Sequence, residues 1–123
     1  MKVLIAVTHL LGTGHLSRAL TLGRAFAEQG HQVVLASGGC PVSQLNSDGI
    51  EFVQLPPLRS DGVNFTRLMT ASGAPVDEIY LNDRSNLLCR TLKALEPDVL
   101  ITELYPFGRR VLADEFLSLL QAA

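Results

Sequence analysis

Residues 3–7 read VLIAV, five aliphatic side chains in a row with no polar alternation, and the run ends in a glycine-containing turn, LLGTGH. A strand that is apolar on both faces cannot lie at a protein surface. It needs cover on both sides, which is the situation of a parallel sheet layered between helices. The run is too short for the apolar core of a secretory leader, and Thr8 and His9 interrupt it. Beyond the turn, Leu16, Ala19, Leu20, Leu22, Gly23, Phe26 and Ala27 recur at helical spacing, and Gly30 stands where a C-terminal cap belongs.

The same grammar repeats along the chain. HQVVLAS (31–37) reads as a second buried strand, followed by Gly38 and Gly39. PVSQLNSDG (41–49) reads as a short helix with Pro41 at its start and Gly49 past its end. IEFVQL (50–55) reads as a third strand ended by Pro56 and Pro57. Residues 58–76 have no period and carry Asp61-Gly62, Gly73 and Pro75, so they read as a long functional loop with a helical turn near 65–69. A helix is expected over 77–95 through Ile79, Leu87, Leu88 and Leu92, a fourth strand over 98–102, a loop over 103–108 and a last helix over 109–120. Alternation of this kind implies right-handed crossovers. The expected architecture is α/β: one Rossmann-like three-layer sandwich over residues 1–123, with a parallel sheet of order 3-2-1-4. Its last helix ought to feed a fifth strand, so the domain reads as incomplete.

Charge and composition narrow the partners. Ten Lys and Arg against twelve Asp and Glu leave a net charge of −2, which offers no electrostatic case for nucleic acid. Cys40 and Cys89 stand far apart and read as two reduced thiols. No stretch approaches the roughly twenty apolar residues of a membrane span, so the expectation is a soluble cytoplasmic protein for which peripheral membrane contact stays open. No D-x-D-like acid pair suggests a metal site.

In an open parallel sheet, ligands bind beyond the carboxyl ends of the strands. Residues 8–15, 37–41, 56–76 and 103–108 gather there. GTGHLS (12–17) resembles the dinucleotide fingerprint, but its sixth position is Ser17, and the second strand ends without an acid to hold a ribose. No Gly-Lys-Ser or Gly-Lys-Thr follows, so it is not a P-loop. Two readings remain: Gly12, Thr13 and Gly14 present backbone N–H groups to an anion, or they form a steric turn. His15, in the first turn of the helix, is a candidate base because imidazole exchanges protons near neutral pH and a helix N-terminus favours the neutral ring. The bland reading is a packing or capping residue. His9 competes as a brace at the strand end, and His31 lies at the opposite edge. Arg18 in the first turn could face an anion. Arg109 and Arg110 oppose the dipole of the last helix unless a carboxylate such as Glu103 or an anion compensates. Tyr105, Pro106 and Phe107 could wall an acceptor, and Arg59, Asp61, Asn64 and Arg67 suit recognition.

A strand, GTGH, and an amphipathic helix ending in EQGHQVVLAS together resemble the N-terminal domain of GT-B glycosyltransferases. The nearest branch is the one containing the N-acetylglucosaminyl transferase that forms lipid II. PDVLITELYPFGRR (97–110) is similar to a bacterial group of predicted glycosyltransferases. The resemblance spans the chain but only the leading part of a full-length member.

It implies an acceptor-side domain whose enzyme moves a hexose or N-acetylhexosamine from a nucleotide-diphosphate sugar to a hydroxyl. The acceptor would be a small molecule or a lipid-linked sugar. No tightly bound cofactor or metal is implied, and the donor-binding half would come from a missing C-terminal domain or a partner chain. An exposed sheet edge would invite a homodimer. His15 matches the family's general base. Gly12, Thr13 and Gly14 match the loop that meets a diphosphate. Plant-type members orient the histidine with an aspartate after the fourth strand. Here Glu103 is the only acid in that loop and lies a few positions early, so either Glu103 substitutes or the dyad is absent. The alternatives are a non-catalytic Rossmann-like module completed by a partner chain, or a small nucleotide-binding enzyme.

Overall fold

The aliphatic run is the centre of the sheet. In a computed structural model, which describes residues 1–9, 14–42, 45, 47–60, 68–103 and 113–123, it forms β1 (Lys2–Val7), paired in parallel with β2 (Gln32–Gly39) on one side and β5 (Val99–Thr102) on the other. The strand alternation sends Val3, Ile5 and Val7 to one face and Leu4 and Ala6 to the other, and all five are buried. The first face packs on Leu16, Ala19 and Leu20 of α1 (Gly14–Glu28). The second packs on Leu88, Leu92 and Leu95 of α2 (Glu78–Leu95) and on Leu119 of α3 (Ala113–Ala122). The layers are therefore α1, the sheet, then α2 with α3.

Among the described residues the sheet has five strands in the order β4-β3-β2-β1-β5 and is mixed. This departs from the expected four-stranded, all-parallel sheet of order 3-2-1-4. The difference is β4 (Leu68–Met69), which pairs antiparallel with the end of β3 (Glu51–Ser60) through Arg59–Met69 and Ser60–Leu68. It lies inside the segment read as a loop. A turn follows β4 and brings Pro75 back against Met69, with Gly73 N–H donating to the Thr70 carbonyl at 3.0 Å and Thr70 N–H to the Ala74 carbonyl at 2.9 Å. The expected helical turn near 65–69 is not seen at 68–69, and 65–67 lie outside the described residues.

Two further expectations are corrected. The third strand does not stop at Pro56; β3 continues through Pro56 and Pro57 to Ser60. Proline cannot donate to a ladder. Here the pairing of β2 with β3 shifts register between Ser37 opposite Gln54 and Gly39 opposite Leu58, so the prolines fall in a bulge where no donor is required. The carbonyls freed by the bulge are taken by α2 side chains, including the Tyr80 hydroxyl, which donates to the Pro57 carbonyl at 2.6 Å. The expected helix over 41–49 is absent at its described positions, 41, 42, 45 and 47–49. Short helices carry a costly nucleus, and Val42 and Leu45 instead pack directly against the α1-side core.

The remaining helices follow their local signals. Asp77 caps α2 by accepting from Tyr80 N–H at 2.8 Å, and Glu96 closes it in the left-handed region at φ 50°, its N–H donating to the Leu92 carbonyl at 2.9 Å. Ile79 is exposed rather than part of the apolar stripe. Gly30 ends α1 at φ +86° as expected. Gly23 lets α1 approach the sheet: a Cβ there would stand 2.8 Å from Ile50 Cδ1. Among the described residues no helix is long and apolar enough to cross a membrane.

Burial raises the Tyr80 phenol above its ordinary value of 10.0, with the nearby Arg84 charge opposing the shift. The fold therefore favours the protonated phenol. That stabilisation is complete below the unfolded value and is lost as pH rises through the higher folded one. Tyr80→Phe is expected to lower stability by about 0.5–1.5 kcal/mol at neutral pH by leaving the Pro57 carbonyl unpaired. In urea melts, the wild-type midpoint should fall more steeply than that of Tyr80→Phe as pH rises past about 10.

Candidate functional site

The sheet directs its chemistry to the carboxyl ends of the strands. β1 is flanked by β2 on one side and β5 on the other, because the chain runs outward through β2 and β3 before returning to β5. Adjacent parallel strands that leave in opposite directions open a crevice at their carboxyl ends. Glu103 follows β5 directly, and its N–H donates to the Ala6 carbonyl at 3.0 Å, which carries the β1–β5 pairing one residue past the strand. His15, the second residue of α1, meets it there.

His15 Nδ1 lies 3.2 Å from Glu103 Oε1, across 88 positions of sequence. Arg18, one helical turn further along the same face, places Nη2 at 2.9 Å from His15 Nδ1 and 3.4 Å from Glu103 Oε1. The imidazole and the carboxylate are half-buried, whereas the Arg18 side chain is 65% exposed. Two chemical states are available to this triangle. When Nδ1–H donates to Glu103, Nε2 carries a lone pair and can take a proton. When Arg18 donates to Nδ1, Nε2 carries the hydrogen and can only donate.

The structure thus brings His15, Glu103 and Arg18 together. Gly14, the first residue of α1, has no described atom within 4 Å of where a Cβ would stand, so described packing does not demand a glycine there. Arg59 is not part of this cluster; it stands one residue before the end of β3 and donates from Nε to the Thr70 carbonyl at 3.4 Å, bracing the turn after β4. Gly12, Thr13, Tyr105, Phe107 and Arg109 lie outside the described residues. His9 is buried, and its Nε2–H donates to the Cys40 carbonyl at 2.9 Å, the geometry of a brace. His31 lies at the opposite edge, against the Phe26 ring. Cys40 and Cys89 are both free thiols. Among the described residues no three His, Cys, Asp or Glu side chains converge as a metal site.

Sequence reading missed the residue beneath this edge. Arg84 of α2 is 0% exposed and Glu115 of α3 is 6% exposed. They form a forked pair, Nε to Oε2 at 3.1 Å and Nη2 to Oε1 at 2.9 Å. Arg84 Nη1 donates to the carbonyls of Gly38, at 2.9 Å, and Pro56, and Nη2 reaches Thr8 Oγ1 at 3.4 Å. One guanidinium therefore ties the segment after β1, the end of β2 and the bulge of β3 to both helices of that layer. Gly38 makes room for it, since a Cβ there would run into the Thr8 hydroxyl and the Arg84 guanidinium. The signal was present: Leu81, Arg84, Leu88, Leu92 and Leu95 are one stripe of α2, and a charge on an apolar stripe needs a buried partner.

Compared with known proteins, the sequence matches no family model and no curated protein.

Glu115→Ala strands the guanidinium in the core and is expected to destabilise the fold by about 3–5 kcal/mol, as breaking a buried ion pair does. The double variant Arg84→Met, Glu115→Leu should recover much of that loss. Urea denaturation followed by circular dichroism reads both.

Proposed function

We propose that the chain is the acceptor-side, Rossmann-like half of a GT-B glycosyltransferase. The four parallel strands run in the order β3-β2-β1-β5, and the crevice between β1 and β5 is the place where such sheets hold ligands. The observation that carries the reading is the approach of Glu103 Oε1 to His15 Nδ1 at 3.2 Å. It supports the alternative in which Glu103, despite its early position, stands in for the orienting acid.

In this reading Glu103 accepts from Nδ1–H, and His15 Nε2 takes the proton of an acceptor hydroxyl. The hydroxyl oxygen bonds to the anomeric carbon of the donor sugar as the bond from that carbon to the diphosphate oxygen breaks. The nucleoside diphosphate leaves with the bonding pair, and His15 holds the proton. The donor is a nucleotide-diphosphate hexose or N-acetylhexosamine, held by a second domain or a partner chain. The acceptor is a small molecule or a lipid-linked sugar. The absence of any described atom within 4 Å of where a Gly14 Cβ would stand is compatible with close approach of such an acceptor to the start of α1.

In the natural full-length protein, or with the partner chain that completes it, His15→Ala is expected to lower kcat by about 10²–10⁴, the usual contribution of a positioned base. His9→Ala should leave far more activity in the folded fraction. Transfer of radiolabelled sugar from nucleotide-diphosphate donors to hydroxyl acceptors measures both. Equal, mild effects would overturn the base assignment. Tight binding of a nucleoside diphosphate to these 123 residues alone, seen by calorimetry, would overturn the acceptor-side assignment.

A further inference from the structure

The triangle of His15, Arg18 and Glu103 places incompatible demands on one nitrogen. Arg18 Nη2 at 2.9 Å can only donate, and Glu103 Oε1 at 3.2 Å can only accept. Nδ1 of a neutral imidazole either bears a hydrogen or does not, so it serves one of them at a time. With Arg18 docked at 2.9 Å, the shorter contact, a hydrogen on Nδ1 would point two N–H groups at each other. The docked arrangement is therefore the one with Nδ1 accepting and the hydrogen on Nε2. Arg18 can meanwhile give its second Nη2 hydrogen to Glu103 at 3.4 Å, which relieves the carboxylate facing the Nδ1 lone pair.

We propose that Arg18 is a positioning residue that, while docked, holds His15 in the Nε2–H form, and that its withdrawal gives Nδ1–H to Glu103 and leaves Nε2 as the acceptor. The three groups differ in freedom in the way this requires. Arg18 is 65% exposed and can swing away without disturbing packing. Glu103 is less free: its side chain is 21% exposed and its backbone N–H is held on the Ala6 carbonyl at 3.0 Å, so its main chain stays in place when Arg18 leaves. The interconversion balances: Nε2 gives a proton to water, Nδ1 takes one from water, and the charge of the ring is unchanged. The consequence for transfer chemistry, that His15 becomes a base only when Arg18 has moved, rests on the proposed function. The tautomer does not.

The test is two-bond nitrogen–proton correlation spectroscopy of the imidazole rings in the ¹⁵N-labelled chain, at a pH where the rings are neutral. His9, whose Nε2–H donates to the Cys40 carbonyl, serves as an internal reference for the Nε2–H pattern and for an intact fold. Wild-type His15 is expected to show Nε2–H. Arg18→Ala is expected to switch it to Nδ1–H by at least about tenfold, the ratio that one hydrogen bond to a carboxylate commands. Arg18→Ala combined with Glu103→Ala should abolish the switch, because the acceptor for Nδ1–H has gone. Nδ1–H in the wild type, or no change in Arg18→Ala, overturns the proposal. A tautomer that switches in a protein without sugar transfer overturns the transfer reading alone. A tautomer that does not switch beside a catalytically essential His15 overturns this proposal alone.

Discussion

The buried Arg84–Glu115 pair is the constraint around which the carboxyl edge of the sheet is organised. A guanidinium with 0% exposure is tolerable only if every N–H has an acceptor. Meeting that demand here draws in Glu115, the Gly38 and Pro56 carbonyls and the Thr8 hydroxyl. Several otherwise unrelated features follow from it. Gly38 is a glycine because a Cβ would occupy the guanidinium's space. The bulge in β3 presents a proline carbonyl inward, where that donor can use it. Because α3 contributes the carboxylate, its docking on α2 is electrostatic as well as apolar, through Leu119 in the shared core.

On the other face of the sheet the same edge carries a different kind of polar group. The His15 ring and the Glu103 carboxylate are only half-buried, and they share one exposed cation. A fully enclosed charge pair with all its bonds made has one arrangement. A half-exposed cluster with more donors than a single nitrogen can satisfy has two. The rigid pair lies beneath the strand ends and the adjustable one at their mouth, the order expected if the first supports and the second reacts.

The elements legible in the sequence are those whose periodicity matches their burial on both faces. VLIAV, the α1 stripe and VVLAS read directly because the buried positions of the central strands and the helix above them are apolar apart from Ser37 at the end of the run. The misreadings came where tertiary structure supplied what local rules forbid. Pro56 and Pro57 look like a strand end until a bulge removes the need for their donors. Residues 41–49 carry helix-start and helix-stop signals, but Val42 and Leu45 gain more by packing on the α1-side core. For the site, His15 and Glu103 were both visible as residue types, but 88 positions separate them and only the β1–β5 pairing brings them together. Arg84 was overlooked because an arginine in a helix is ordinarily solvated; its place on the apolar stripe was the clue.

The hydrogen bond from Glu103 N–H to the Ala6 carbonyl separates two kinds of variation. It anchors the main chain of Glu103 before residue 104, so the point from which the carboxylate starts is set by the β1–β5 pairing. Likewise His15 is placed by a helix whose register on the sheet is fixed further along by Leu16, Ala19, Leu20 and the close contact at Gly23. Substitutions can then accumulate at 104–112 and 61–67 from one descendant of this chain to another while the main-chain anchors of the imidazole and the carboxylate are inherited intact.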